Sequence, residues 1–353
     1  MIKAIPTTSH DQWLAARSQD VTASVAAALL GIHPYCTSYE LWARKTGRMP
    51  DQDVVPTITD DSIIFPPMMR GANLEAAALA MLPRLRPDWI NPEVTNGELY
   101  NDGRVYFRDE AARIGATPDA IRVCPEHGLG IVQIKTVEAN AWKRSWINDD
   151  GGIEPPLWIV IQAIIEAHMV GAKWARIGAL VVGGELAFHL IDVPLHTAIV
   201  ERIKQETAAF WEMIERGEVP EPDYSADADT IRKLYAPNPK AEPVDLSADN
   251  ALPELLDRRE ALKVREADGA LASRERKPID AELLHKLGTS SRASIAGGRI
   301  IEAKIIKRGA YEVAASSYPQ IKITDDTKET THGKSRSNRT QQPATADHFG
   351  HAF

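Results

Sequence analysis

"TPDAIRVCPEHGLGIVQIKTV", residues 117–137, decides how the chain is read. Two β-rich runs flank a Pro-Glu-His-Gly turn, so the stretch is expected to fold as neighbouring strands. Side chains alternate across a strand, which sets Gln133 and Lys135 on one face and Val132 and Ile134 on the other. Asp119 follows Pro118 at the start of the first strand. An acid, an amide and an ammonium are thereby expected side by side at the edge of an otherwise apolar segment.

Working outward, "GANLEAAALAMLPRL" reads as a helix ended by Pro83, and "PPLWIVIQAIIEAHMVG" as a second one, from Pro155 and Pro156 to Gly171. Thr37 and Glu40 are spaced as a capping box opening "SYELWARKT", with Gly47 placed for its end. Residues 11–47 are expected as short helices and 48–66 as a loop. Asp102-Gly103 is a hairpin signal. "ARIGATPDAIRV" is expected as one strand, "WARIGALVVGGELAFHLIDV" as a strand pair turning at Gly183-Gly184, and "HTAIVERIKQETAAFWEMIERGE" as an amphipathic helix. The expected fold class is α/β: a central mixed β-sheet flanked by helices, with a C-terminal helical and β-hairpin extension. The divisions are 1–225 for the core, 226–290 for a charged helical extension, 291–323 for a small β meander and 324–353 for a disordered tail.

Composition sets limits. The 353 residues suffice for a full hydrophobic core, and 44% hydrophobic with 25% charged residues is ordinary for a globular protein. A net charge of −8 excludes a polycation that coats nucleic acid, though not a local basic groove. Two distant cysteines, Cys36 and Cys124, exclude a disulfide framework, a structural zinc site and a four-thiolate iron–sulfur cluster. The most apolar run is interrupted by Gln162, Glu166 and His168, so no membrane span is expected and a reduced cytosolic compartment is the expected one.

The residues at 119–135 suit metal-dependent phosphodiester hydrolysis, which needs oxygen ligands for Mg²⁺ and positive charge near the reacting phosphorus. Asp119 offers a carboxylate, Gln133 an amide oxygen, Ile134 a carbonyl between them, and Lys135 the ammonium. Glu75, on a helix expected to pack over the sheet, adds a second carboxylate. Glu126 and His127 lie in the turn, and Glu166 and His168 on an apolar helix without HExxH spacing; all four read as structural. Lys304, Lys307 and Arg308 read as solvated charges on a packed hairpin, with contact to phosphates as the alternative.

"TPDA…VQIK" resembles the PD-(D/E)xK nuclease signature in the form with Gln replacing the second acid. "VTASVAAALLGIHPYCTSYELWARKTG", "RGANLEAAAL" and the helix with Gln162 nine residues before Gly171 resemble, in order, blocks of the YqaJ-type viral recombinases, the family of lambda exonuclease. The four blocks span residues 11–195. The resemblance implies a restriction-endonuclease-like core in which Glu75, Asp119, Gln133 and the Ile134 carbonyl hold Mg²⁺, with Mn²⁺ able to substitute. It implies that Lys135 activates water or stabilises transition-state charge, that Gln162 completes the site, and that Arg17, Ser24 and Thr117 bind a 5′-terminal phosphate. The implied activity is exonuclease digestion of linear double-stranded DNA, 5′ to 3′, to make single-strand overhangs for a single-strand annealing protein, with a ring-shaped homo-oligomer as the assembly. Two alternatives stay open: a PD-(D/E)xK endonuclease, which would lack the 5′-phosphate pocket, or, because Gln133 replaces the usual acid, a catalytically weak module that binds DNA ends.

Overall fold

The computed structural model describes residues 1–7, 9–49, 57–59, 62–64, 67–95, 98–99, 104–266, 269–307 and 317–325. The chain divides into two compact units. One comprises Met1–Ala236 with Arg259–Lys286, the other Pro237–Arg258 with the residues from Leu287 onward.

The centre of the first unit is a mixed sheet of β5 (Ala120–Cys124), β6 (Gly128–Glu138), β7 (Trp174–Val182) and β8 (Leu186–Val193) in the order β8-β7-β6-β5. The outer pairings are antiparallel and β6–β7 is parallel, with Gln133 opposite Ile177 and Lys135 opposite Ala179. A parallel pair requires a crossover. Here it includes α4 (Ala139–Ser145) and α5 (Leu157–Val170). Helix α5 runs from an N-cap at Pro156 to Gly171 in the left-handed region, φ 73°, as Pro-Pro and Gly in the sequence indicate.

A smaller sheet combines β1 (Ile2–Pro6), β2 (Val21–Thr22), β3 (Val105–Asp109) and β4 (Ile114–Ala116) in the order β1-β3-β4-β2. Helix α1 (His10–Ser18) joins β1 to β2, and a 3-10 turn, Ala26–Leu30, leads to α2 (Ser38–Lys45), whose cap is the expected hydrogen bond from Glu40 N to Thr37 Oγ1, 3.0 Å. At the end of α1, buried Asp20 accepts from Tyr106 Oη at 2.9 Å and pairs with Arg108. That anchor fixes the path of β2.

Helix α3 (Pro67–Leu79) packs on one face of the central sheet, burying Ala78 against Val132, Ile134 and Leu180. Helix α5 contacts β6 and β7, where alternation turns the remaining side chains, Gln133 among them, to the other face. Helix α6 (Thr197–Glu215) packs on α5 and on the 3-10 turn. Of the residues expected as a helical extension, α7 (Ala228–Leu234) and Arg259–Lys286 belong to this unit. The latter joins the end of α8 (Leu252–Glu266) to most of α9 (Ala270–Leu287), held by Arg259 and Arg276 on Asp280.

In the second unit β9 (Val244–Asp245), β10 (Arg292–Ile295), β11 (Arg299–Lys307) and β12 (Ser317–Asp325) form a sheet in that order, antiparallel from β10 to β12, with β9 added in parallel and β12 running to Asp325, two residues into the stretch expected as tail.

Four local expectations differ. Thr57–Thr59 and Ser62–Ile64, expected as loop, pair as a hairpin, in keeping with their β-branched residues. Helix α3 ends at Leu79, and Pro83 opens a further turn, Leu82–Leu85, instead of closing the helix, because proline suits the first turn. "ARIGATPDAIRV" forms two strands in different sheets, since the Thr117-Pro118-Asp119 stretch breaks it. Strands β1 and β2 were not anticipated. The Asp102-Gly103 turn and residues 326–353 of the expected tail lie outside the described residues. Among the described residues no helix is long and apolar enough to cross a membrane.

Candidate functional site

The antiparallel register pairs Val132 with Ala120, so the next position outward sets Asp119 beside Gln133. Asp119 Oδ2 accepts from Gln133 Nε2 at 2.5 Å and from the Ile134 amide at 2.7 Å. The acid of one strand is thus locked to the amide and backbone of its neighbour. Lys135, two residues on, is half-buried with its Nζ 5.7 Å from the centroid of Trp158 at the start of α5. His33 packs edge-on against the same indole, 4.9 Å between centroids.

Behind the sheet, α5 contributes Gln162 and Glu166, one turn apart and therefore on one face. Gln162 Nε2 donates to Glu166 Oε1 at 2.8 Å. Gln133, Gln162 and Glu166 are all buried. Burial pushes the Glu166 carboxyl well above the usual carboxylate range and the charge of Asp119 adds to this, against the Gln162 hydrogen bond and the charges of Lys135 and Arg17.

Three buried oxygens here have no hydrogen-bond partner: Gln133 Oε1, Gln162 Oε1 and Glu166 Oε2. Leaving one such acceptor unsatisfied costs about 1–3 kcal/mol. Carboxylate and amide oxygens are the donors that Mg²⁺ and Mn²⁺ accept, so these residues fit a hard divalent cation. Among the described residues, no group of three His, Cys, Asp or Glu side chains gathers around a common point. The oxygens near Asp119 come from two carboxylates and two amides. Glu75 sits on α3, which packs over β6, and among the described residues it is not gathered into a trio with Asp119 and Glu166.

The three residues expected to hold a terminal phosphate are brought together. Arg17 Nη2 lies 3.3 Å from Ser24 Oγ and 3.5 Å from Thr22 Oγ1, and those hydroxyls are 3.0 Å apart. Arg17 also stacks on Trp13 at 3.9 Å, and Trp13 Nε1 donates to Thr117 Oγ1 at 3.1 Å. Thr117 is two residues from Asp119, which ties the pocket to the strand site.

Trp13, Thr22 and Trp158 were not singled out from the sequence, and Glu166 was read there as structural. For Glu166 a signal existed: a glutamate four residues after a glutamine in a helix apolar on every side.

A mixed α/β fold presenting Pro118-Asp119 beside Gln133-x-Lys135 defines a protein with the PD-(D/E)xK signature in its glutamine form. Residues 12–172 match the model of the YqaJ-like viral recombinase domain family, so the resemblance read from the sequence blocks holds over a stretch that contains every expected site residue. The uncharacterized protein YqaJ of Bacillus subtilis (strain 168) is 23% identical over 247 residues, 69% of this chain and 68% of that protein. The solved structure of an alkaline exonuclease, LHK-Exo, from Laribacter hongkongensis covers 59% of this chain and 93% of its own, with 20% identity and a TM-score of 0.41. LHK-Exo in complex with dAMP gives 21% identity and a TM-score of 0.40 over the same shares.

Proposed function

We propose that this protein is a metal-dependent exonuclease that digests linear double-stranded DNA from the 5′ end. The observation that carries the reading is the lock between Asp119 and the Gln133–Ile134 segment, with partnerless oxygens of Gln133, Gln162 and Glu166 close by. The family match over residues 12–172 supports the same activity. The exonuclease activity named for LHK-Exo belongs to that protein and agrees with the proposal.

Asp119, Gln133 and the Ile134 carbonyl would hold the cation, Mg²⁺ or Mn²⁺, with Glu75 as a further carboxylate. Once bound, the cation supplies Lewis-acid activation of water and neutralises charge on the phosphate. Lys135 would set an ammonium where negative charge develops, beside the face of Trp158. Gln162 would complete the polar side of the site from α5. Arg17, Ser24 and Thr117 grip the 5′-phosphate, for which a guanidinium that keeps its proton is suited. Digestion of that strand leaves an overhang for a single-strand annealing protein in the bacterial cytoplasm, and a ring-shaped homo-oligomer would keep the duplex threaded.

The test is digestion of linear duplexes with 5′-phosphate, 5′-hydroxyl or covalently closed ends, with Mg²⁺ and with Mn²⁺, alongside Asp119→Ala. The expected order of rates is phosphate over hydroxyl over closed, with Asp119→Ala at least about a hundredfold slower. Equal cutting of circular and linear plasmid would instead indicate an endonuclease. No cleavage with either ion, together with retained end binding, would indicate an end-binding module.

A further inference from the structure

We infer that Glu166, on α5, is a ligand of the cation and supplies a carboxylate in place of the one that the strand position of Gln133 lacks. This rests on the metal-dependent reading above.

Helix α5 is apolar around nearly its whole circumference, and its buried residues include Ile159, Ile161, Ile164 and Ile165. Such a helix has no structural use for a carboxylate at its centre, where burial without a partner is costly. Yet Glu166 is only 1% exposed. Among the described residues its single hydrogen bond comes from Gln162, its Oε2 has no partner, and no cation stands within salt-bridge distance. The structural buried acids have both oxygens answered, Asp20 by Tyr106 and Arg108 and Asp227 by Thr37 and the Asp223 amide. Glu166 has instead a second acid, Asp119, near enough to influence it, and a second buried amide oxygen one helical turn away.

The chemistry of the strand explains the need. With Gln133 neutral, Asp119 is the one carboxylate joined by hydrogen bonds to the Gln133–Ile134 segment. One carboxylate with amide and backbone oxygens is a weak site for a divalent ion, because affinity for hard cations follows the number of charged oxygens. Glu166 restores the missing charge from the helix behind the sheet. Gln162, hydrogen-bonded to Oε1, then orients the carboxylate so that Oε2 remains available.

Binding of Mn²⁺ to the full-length protein, followed by the loss of its free-ion EPR signal, tests this without any nuclease assay. Glu166→Gln keeps the shape of the side chain, and its fold is checked by circular dichroism. Mn²⁺ affinity is expected to fall about tenfold or more. Adding Gln133→Glu to that variant is expected to restore it, since the charge returns to the strand. Wild-type binding with no loss in Glu166→Gln overturns the assignment while leaving a metal site in place. Absence of Mn²⁺ binding in the wild type overturns the metal-dependent reading itself. Should the variant not fold, Fe²⁺ with ascorbate and peroxide on the wild-type protein gives the same decision. Backbone cuts at residue 166 as well as near 119 and 133 support the ligand, and cuts confined to 117–137 overturn it.

Discussion

Arg17 illustrates how much chemistry one side chain can gather: its guanidinium stacks on Trp13 and reaches the hydroxyls of Thr22 and Ser24. A lysine there keeps the charge but loses the planar fork. Arg17→Lys is therefore expected to lower the ratio of digestion rates on 5′-phosphate and 5′-hydroxyl ends by about tenfold, measured on otherwise identical duplexes. The cysteines make a second test at this scale. Burial pushes the Cys36 thiol up to about 12, with the nearby Glu40 acting in the same direction. A raised thiol pKa leaves almost no thiolate near neutrality, so Cys36 is expected to stay unmodified by iodoacetamide at pH 8 in the native protein, as mass spectrometry would read. Asp119, Gln133 and Lys135 were legible because a strand has a period of two and the hairpin brings its neighbours into register. Glu166 was not, since a polar residue on an apolar helix has the same appearance whether it is satisfied by the core or waiting for an ion.

At the scale of elements, two glycines separate backbone strain from steric exclusion. Gly171 closes α5 with φ 73°, and nothing lies within 4 Å of the position a Cβ would take. Gly171→Ala should cost about 1 kcal/mol through the left-handed backbone alone. Gly130 on β6 has an ordinary backbone, but a Cβ would stand 1.9 Å from the ring of Trp174. Gly130→Ala should cost more than Gly171→Ala, because β6 or the indole must move, and urea titration of both variants would show the order. The ends of α5 were readable from Pro155-Pro156 and Gly171, whose effects are local. Strand β1 was not: "IKAIP" has too little alternation, and it becomes a strand by pairing with β3, with Ala4 opposite Phe107.

For the whole molecule, both cysteines are free and buried, so a reducing agent is expected to leave the melting temperature unchanged; a drop would reveal a covalent link between chains. The net charge of −8 means that attraction for a duplex must come from local cations such as Arg17 and Lys135. Binding to DNA ends should weaken steeply as salt rises from 50 to 200 mM, by about tenfold for each phosphate pair neutralised at most, which fluorescence anisotropy would record. Sheet order and unit boundaries were the least legible features. The sequence shows which segments are strands, but partners such as β1 and β3 are a hundred residues apart, and proximity of that kind is settled only by the packed core.

Trp13 carries a last consequence. It leans on Arg17, donates to Thr117, and Thr117 is joined to Asp119 through Pro118, a residue whose backbone hardly bends. The proposed grip and the proposed blade thus share one stiff handle. A DNA terminus seated in the grip would always present the same bond to the blade, so each bite should remove a piece of constant length, whatever the bases along the strand.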